Sequence, residues 1–365
     1  MTFHGSGWAL VLFVALAAST PPTAAAQTVR VEGRVVDAET DAPLPGVNVF
    51  VSGTTRGDAT DRDGAYAFEI EGAGPFAVSA SILGYETAHA TVAGGAEDAE
   101  TVAFRLAPAA LGLGAVEVVT EADEDWLRAV DVFERVFLGA TPNAQRTTIV
   151  DPERIDAALT VTHGLRATAA SSFTVRNDAL GFDLAVFDFA LVADGSGTAW
   201  DGTLFFQDLC APACAPKVEA AREAAYRGSR RHFARALLAG TLEAEGFVAR
   251  RVREPGAGES VMGFVRRKLF RRPDDARVGP DDVVSDGDGG RVEIGGAIRV
   301  EYHGERDGRP DGGDTQVSWL AADDGVLRLR PDGRFADPAA VQHFGYWDWE
   351  RVADLLPLDY VPRRD

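Results

Sequence analysis

The sequence predicts an all-β sandwich followed by an α+β region built on antiparallel sheet. Three observations lead there. Residues 28–106 alternate apolar and polar positions in short runs broken by Gly, Pro and Asp. Beyond residue 125, stretches with helical spacing interleave with further short strand-like runs. After the amino terminus, no apolar run approaches the about 20 residues that a membrane-spanning helix needs.

The chain opens with an apolar run from Trp8 to Ala18, ended by Ser19-Thr20-Pro21-Pro22. Ala24-Ala25-Ala26 then offers the small residues that a signal peptidase reads, so residues 1–26 are expected to be a signal peptide cleaved before Gln27. The expected location is therefore the periplasm, the outer membrane or the cell surface. No Cys follows the signal to carry a lipid. The expected divisions are a sandwich over 27–108, a linker over 109–125 and an α+β domain over 126–365.

A formal net charge of −20 opposes binding to a phosphate backbone and excludes nucleic acid as a natural partner. Lys217 and Lys268 are the only lysines, and arginine supplies every other fixed cation. Abundant carboxylates balanced by arginine suit a salt-rich medium, where screening relieves self-repulsion, so a halophilic source is expected.

In the sandwich, Val29, Val31, Gly33 and Val35 fall on one side of a strand and Arg30, Glu32 and Arg34 on the other. Asp41-Ala-Pro-Leu-Pro-Gly46 reads as a turn, and Val47, Val49 and Val51 as a second strand. A loop over 53–57 and an Asp61-Arg-Asp63-Gly64 turn lead into a strand over 65–70. Segments 76–82, 86–92 and 101–106 complete about seven strands at sandwich spacing. Asp61 and Asp63 suggest a calcium loop, but the EF-hand ends on a bidentate Glu and the matching position is Gly72. An Asp-Gly turn is the preferred reading.

Gly33-Arg-Val-Val-Asp37, Pro45-Gly46-Val-Asn-Val49, Thr60-Asp-Arg-Asp-Gly64-Ala-Tyr66-Ala-Phe68 and Leu83-Gly84-Tyr85 together resemble the carboxypeptidase regulatory-like domain. The resemblance covers roughly residues 28–107. It implies a transthyretin-like β-sandwich, of the kind found beside zinc carboxypeptidases and at the front of outer-membrane receptors. Its motif residues are structural, so it implies a fold and no catalysis. Ala115-Val-Glu-Val-Val-Thr120 resembles the segment that precedes the plug in TonB-dependent receptors, but the remaining chain is too short for plug and barrel.

Asp123 or Asp125 is the expected cap of a helix carrying Trp126, Val130, Phe133 and Phe137 on one face, stopped at Gly139. Strands are expected over 173–176, 182–191 and 203–209, and a helix capped by Ser229 that carries His232, Phe233, Leu237 and Leu238. Further strands are expected over 246–253, 263–270, 291–300 and 316–320. Trp349, Val352, Ala353 and Leu356 are expected to form a last short helix before Pro357. Leu138-Gly139-x-Thr141-x-Asn143-Ala144, Ala225-Tyr226-x-Gly228-Ser229-x-x-His232-Phe233 and Arg351-Val-Ala-Asp354-x-Leu-Pro357 are similar to the region after the sandwich in exported bacterial proteins. That likeness implies no activity.

No pattern of an enzyme survives inspection. His163 and His232 lack the Glu that a carboxypeptidase zinc site needs three residues on. Gly258-Glu-Ser260-Val-Met-Gly263 is a residue too long for a nucleophile elbow. Gly112-x-Gly114 meets Glu117 where a dinucleotide loop needs Gly, and Asp286-Gly-Asp288 reads as an acidic loop rather than a calcium clamp. No catalytic residue, metal or cofactor is assigned. The expectation is a non-catalytic envelope protein whose partner is another envelope protein or a glycan. The alternative is a periplasmic or surface hydrolase with an unrecognised site.

Three features stand as site candidates. Arg266, Arg267, Lys268, Arg271 and Arg272 form a cationic run that suits an anionic partner, against the plainer reading of a strand paired with neighbouring acids. Phe344, Tyr346, Trp347 and Trp349 suit a sugar-stacking platform, against core packing. Cys210 and Cys214 are expected to close a small disulfide in an oxidising compartment, pinning a loop rather than holding the fold.

Overall fold

The computed structural model of the chain describes residues 28–72, 74–94, 99–109, 124–161, 164–195, 197–210, 213–252, 276–285, 289–310 and 312–363. The signal segment, the 115–120 segment, His163, the 258–263 elbow, the 263–270 strand with Arg266, Arg267, Lys268, Arg271 and Arg272, and the acids 286 and 288 lie outside the described residues.

The alternating amino-terminal sequence folds as two packed sheets. β1 (Thr28–Asp37), β4 (Ala65–Glu71), β7 (Glu100–Thr101) and β8 (Phe104–Leu106) form one sheet. β2 (Asn48–Val51), β3 (Gly57–Ala59), β5 (Phe76–Ser81) and β6 (Ala88–Val92) form the other, in the order β3-β2-β5-β6. Val29, Val31, Val35, Val49, Tyr66, Ile70, Val78 and Leu106 fill the space between them. The period-two spacing puts these side chains on the inner faces, and their burial is the main force holding the sheets together. Two expected bounds shift: the loop over 53–57 feeds a strand at Gly57, and the strand over 101–106 is two short pieces, both parallel to β1.

The motif residues are structural. Asp37 Oδ2 accepts the Tyr85 hydroxyl at 2.8 Å, and Oδ1 accepts the Glu39 and Thr40 amides. Asp61 Oδ1 accepts the amides of Asp63 and Ala65, which spends the carboxylate on a turn. Gly64 sits there at φ 73°, where an added Cβ would lie 2.5 Å from the Val35 carbonyl oxygen.

After residue 124 the structure is α+β with antiparallel sheets. Helix α1 (Glu124–Leu138) is followed by β9 (Thr147–Ile149), β10 (Ile155–Leu159), β11 (Leu165–Ala169), β12 (Phe173–Asn177), β13 (Phe182–Asp194) and β14 (Gly197–Asp208). β13 is the spine: β12 and β11 share one of its edges, and β14 runs along the other. Ala129, Val130, Phe133 and Phe137 of α1 pack onto this sheet against Phe173 and Phe189. Asp125 lies inside α1 rather than capping it, where it adds negative charge to the first turn.

A second core follows. α2 (Pro216–Tyr226), which the sequence reading missed, precedes α3 (Arg230–Ala239). Ser229 caps α3, its side chain accepting the His232 amide, and Gly240 ends it at φ 71°. β15 (Phe247–Val252), β18 (Ala297–Tyr302), β19 (Gln316–Ala322) and β21 (Val341–Gly345) make one sheet. β16 (Val283–Ser285), β17 (Gly290–Glu293) and β20 (Val326–Leu329) make another. The strand expected over 291–300 is therefore two, because Gly295 at φ 69° turns the chain between them. Phe233, Leu237, Phe247, Ile298, Leu320 and Trp347 share the core.

The tail also departs from expectation. α4 (Tyr346–Trp349) and a separate 3-10 turn over Val352–Asp354 replace the single helix. The two pieces serve different cores: Trp347 packs with α3, whereas Val352 packs with α1 and the β13 sheet. No helix among the described residues is long and apolar enough to cross a membrane.

Candidate functional site

A cavity of about 560 Å³ opens where these parts meet. Phe76 and Ala77 of β5 and Thr91 of β6 form its sandwich wall. Thr198 and Trp200 of β14, the α2–α3 junction, and residues 330–338 form the sides, with His343 and the tail over 350–358. It therefore has walls from all three cores.

The three short segments 138–144, 225–233 and 351–357 meet at this cavity. Asp354 accepts the Thr141 hydroxyl at 2.9 and 3.0 Å and the Asn143 amide at 2.9 Å. Tyr226, Ser229, Arg230 and Arg231 line the cavity beside Arg351, Leu356 and Leu358. His232, which directly follows the cavity-lining Arg231, accepts the Gly228 amide on Nδ1 and approaches Glu245 at 3.2 Å through Nε2. It fixes the α2–α3 turn; burial lowers its pKa, with Glu245 acting the other way.

Charge in the cavity is lopsided. Five arginines line it, Arg230, Arg231, Arg330, Arg334 and Arg351, against the two acids Glu350 and Asp354. Arg231 donates to the Pro357 carbonyl at 2.7 Å and to Tyr360 at 3.3 Å, holding the tail in place. Burial, and then repulsion from Arg235, brings it down to about 10. Arg334 pairs with Asp332 and Arg351 with Asp348, at 2.7 and 2.8 Å. Arg230 instead meets Nδ1 of His343 at 3.1 Å. That imidazole is held neutral: burial, then the charges of Arg230 and Arg351, bring it down to about 2. A neutral Nδ1 facing a guanidinium is necessarily the acceptor.

Burial shifts both acids toward their protonated forms. Burial raises Glu350 well above the ordinary carboxylate range, and Asp354 adds to it. Burial also raises Asp354, against the hydrogen bonds from Asn143 and Thr141. Glu350 and Arg230 keep partial solvent exposure because they line the cavity.

The structure also places the earlier site candidates. Cys210 and Cys214 are joined by a disulfide with Cα atoms 4.5 Å apart. Asp208 stands beside them, the one cluster of metal-ligating types among the described residues, but its two sulfurs are bonded to each other. Asp208 is engaged by Arg222, which also donates to the Leu180 carbonyl and stacks over Phe182 at 3.8 Å. The four aromatics do not form a platform. Trp347 is buried, its indole N–H donating to Gly228 at 2.7 Å, and Tyr346 is buried beside it. Phe344 faces Trp319 on the other side of the sheet, because neighbouring strand positions alternate. Only Trp347 of the four reaches the cavity.

Arg230, His343 and Glu350 were missed. The usable signal was the pair Arg230-Arg231 directly after the Ser229 cap, in one of the converging segments.

The family model described as CarboxypepD_reg-like domain matches residues 31–118. The amino-terminal sandwich is a CarboxypepD_reg-like domain. Its matched span covers β1 to β8 apart from the first residues of β1. No curated protein matches the chain. Among solved structures, a protein of unknown function from Bacteroides fragilis is 11% identical, covering 82% of this chain and 91% of that one, with a TM-score of 0.20. A DUF3823 family protein from Parabacteroides merdae is 12% identical over 50% of this chain and 82% of its own, with a TM-score of 0.16. A cohesin–X-dockerin complex from Acetivibrio cellulolyticus is 19% identical over 31% and 76%, with a TM-score of 0.19. At such TM-scores these superpositions define no shared architecture beyond local likeness.

Proposed function

We propose that the protein is a non-catalytic, exported binding protein of the cell envelope, and that its ligand enters the cavity beside the CarboxypepD_reg-like domain. One observation carries this reading: the cavity takes its walls from all three cores, so all three are needed to make it. A volume of about 560 Å³ falls within the range of small-ligand sites. The apolar leader and the Cys210–Cys214 disulfide support export to an oxidising compartment.

A surface hydrolase is the second reading, favoured by two carboxyls of raised pKa in one cavity. It ranks lower because Asp354 is spent on Thr141 and Asn143, which leaves Glu350 without a second free carboxylate.

The test is a thermal-shift and calorimetric survey of mono- and disaccharides and organic acids on the full mature chain. Thr198→Trp, a strand position on the cavity wall, fills the space. Binding by the wild type that is lost in Thr198→Trp, without turnover of the ligand, is the expected result. Turnover establishes the hydrolase instead, and binding untouched by Thr198→Trp places the site elsewhere. Cell fractionation with amino-terminal sequencing tests export, for which a mature chain starting at Gln27 is expected.

A further inference from the structure

We propose that the cavity is built for an oxoanion, a carboxylate or sulfate, with Arg230 and Arg330 as its contacts. This rests on the binding reading above and names the chemistry of the ligand.

The first observation is an unmet charge. Of the five cavity arginines, three are committed: Arg231 to tail carbonyls, Arg334 to Asp332 and Arg351 to Asp348. Arg230 and Arg330 make no ion pair among the described residues. Among the described residues, the side-chain partner of Arg230 is the neutral Nδ1 of His343 at 3.1 Å. Glu350 is the nearest acid in electrostatic effect, yet none of its oxygens comes within ion-pair distance of an arginine among the described residues. A cation drawn partly out of bulk water without a counter-ion carries a desolvation cost, and a bound anion offsets it.

The second observation is independent of side-chain charge. Arg230 and Arg231 are the first residues of α3, and their main-chain N–H groups have no acceptor among the described residues. That end of the helix lines the cavity, and it carries partial positive charge. Guanidinium and helix terminus thus converge on one space. In a chain of net charge −20, a cavity with five arginines and two protonation-prone acids is a local inversion of sign.

The rest of the wall describes what carries the anion. Phe76, Trp200 and Phe335 are half-buried aromatics on the cavity surface. Such faces suit a sugar ring or the apolar body of an organic acid. An oxoanion has two sources here: a substituent on a sugar, or a free ion.

The experiment is isothermal calorimetry on the full mature chain at low ionic strength. Digalacturonate, galactose 6-sulfate, neutral lactose and inorganic sulfate are the probes. The two acidic sugars are expected to bind and to weaken as salt rises, with lactose silent. Arg230→Gln and the less enclosed Arg330→Gln are each expected to weaken binding about tenfold, the loss of one charge-assisted contact. Circular dichroism checks that both variants are folded. Inorganic sulfate binding as tightly as the acidic sugars supports the oxoanion and assigns it to a free ion. Lactose binding as tightly as digalacturonate, or full affinity in both arginine variants, overturns the oxoanion inference while leaving the cavity as a site. Acidic-sugar binding that survives Thr198→Trp removes the cavity reading itself. Silence from all four probes in the folded wild type overturns the oxoanion inference.

Discussion

Replacing His343 with Gln should flatten the acid limb of the stability curve. In the fold its imidazole is brought down to about 2 from an ordinary 6.5, by burial first and then by Arg230 and Arg351. Unfolded chains regain the ordinary value, so between pH 6.5 and 2 the unfolded state takes up a proton that the folded state refuses. Stability from this group is therefore complete above pH 6.5 and is lost as the pH falls. Its loss approaches about 1.4 kcal/mol per pH unit, or about 2.7 kcal/mol between pH 7.5 and 4.5. The charged groups that act on it are Arg230 on α3 and Arg351 in the tail. Gln keeps an acceptor for Arg230 and takes up no proton. Urea unfolding followed by tryptophan fluorescence at pH 7.5, 6.5, 5.5 and 4.5 gives both curves. Carboxylates elsewhere cancel in the difference between wild type and variant. Equal acid sensitivity in the two proteins would show that His343 titrates normally and that the cavity is wet and weakly charged.

Three other substitutions probe the frame around it. Glu350→Gln should stabilise the protein at neutral pH: a carboxyl raised in the fold contributes stability at low pH that fades as pH rises through its folded pKa. The gain over wild type should vanish below pH 4.5 in the same unfolding series. Arg222→Lys should cost about 2–3 kcal/mol in denaturant midpoint, since one ammonium cannot replace a fork that reaches Asp208, Leu180 and Gly181 at once. Phe133→Ala should cost about 3–5 kcal/mol, because the ring is fully buried between Phe137, Phe173 and Phe189.

How far the sequence reveals this molecule depends on how local each determinant is. The β1 alternation, the Asp61–Gly64 turn and the Ser229 cap are decided within a few residues, and all stand where the spacing predicts. α2 is hidden because most of its apolar positions are alanines, which give no stripe. The break between β17 and β18 is hidden because apolar residues continue on both sides of Gly295. The cavity is the least legible part. Arg230 and His343 are far apart in sequence, and an arginine in a chain with 56 acids reads as a surface ion-pair partner until its neighbours are placed. Conversely, the aromatics over 344–349 looked like a surface because they are adjacent in sequence, while strand alternation and the α4 turn send them to different places.

The role of the CarboxypepD_reg-like domain follows from how it is held. Its β2–β3 loop extends the edge of β14: the Gly53 amide donates to Leu204 at 2.6 Å, and the Phe206 amide donates to Thr54 at 3.0 Å. The tail closes over the same loop, with the Leu358 amide on the Gly53 carbonyl at 2.8 Å and Asp359 accepting from Thr55 at 2.5 Å. Gly53 is required there, at φ 79° with an added Cβ only 2.9 Å from Leu358. Phe50, fully buried, stacks on Phe187 and lies tilted against Phe205 across the junction. A domain tethered by a flexible linker would show none of this pairing. Here the loop is clamped between β14 and the tail, and residues 350–358 of that tail make the cavity wall that carries Glu350 and Arg351. The sandwich therefore acts by fixing the tail as well as by lending Phe76 and Thr91, and weakening the clamp should open the cavity before it unfolds any of the three cores.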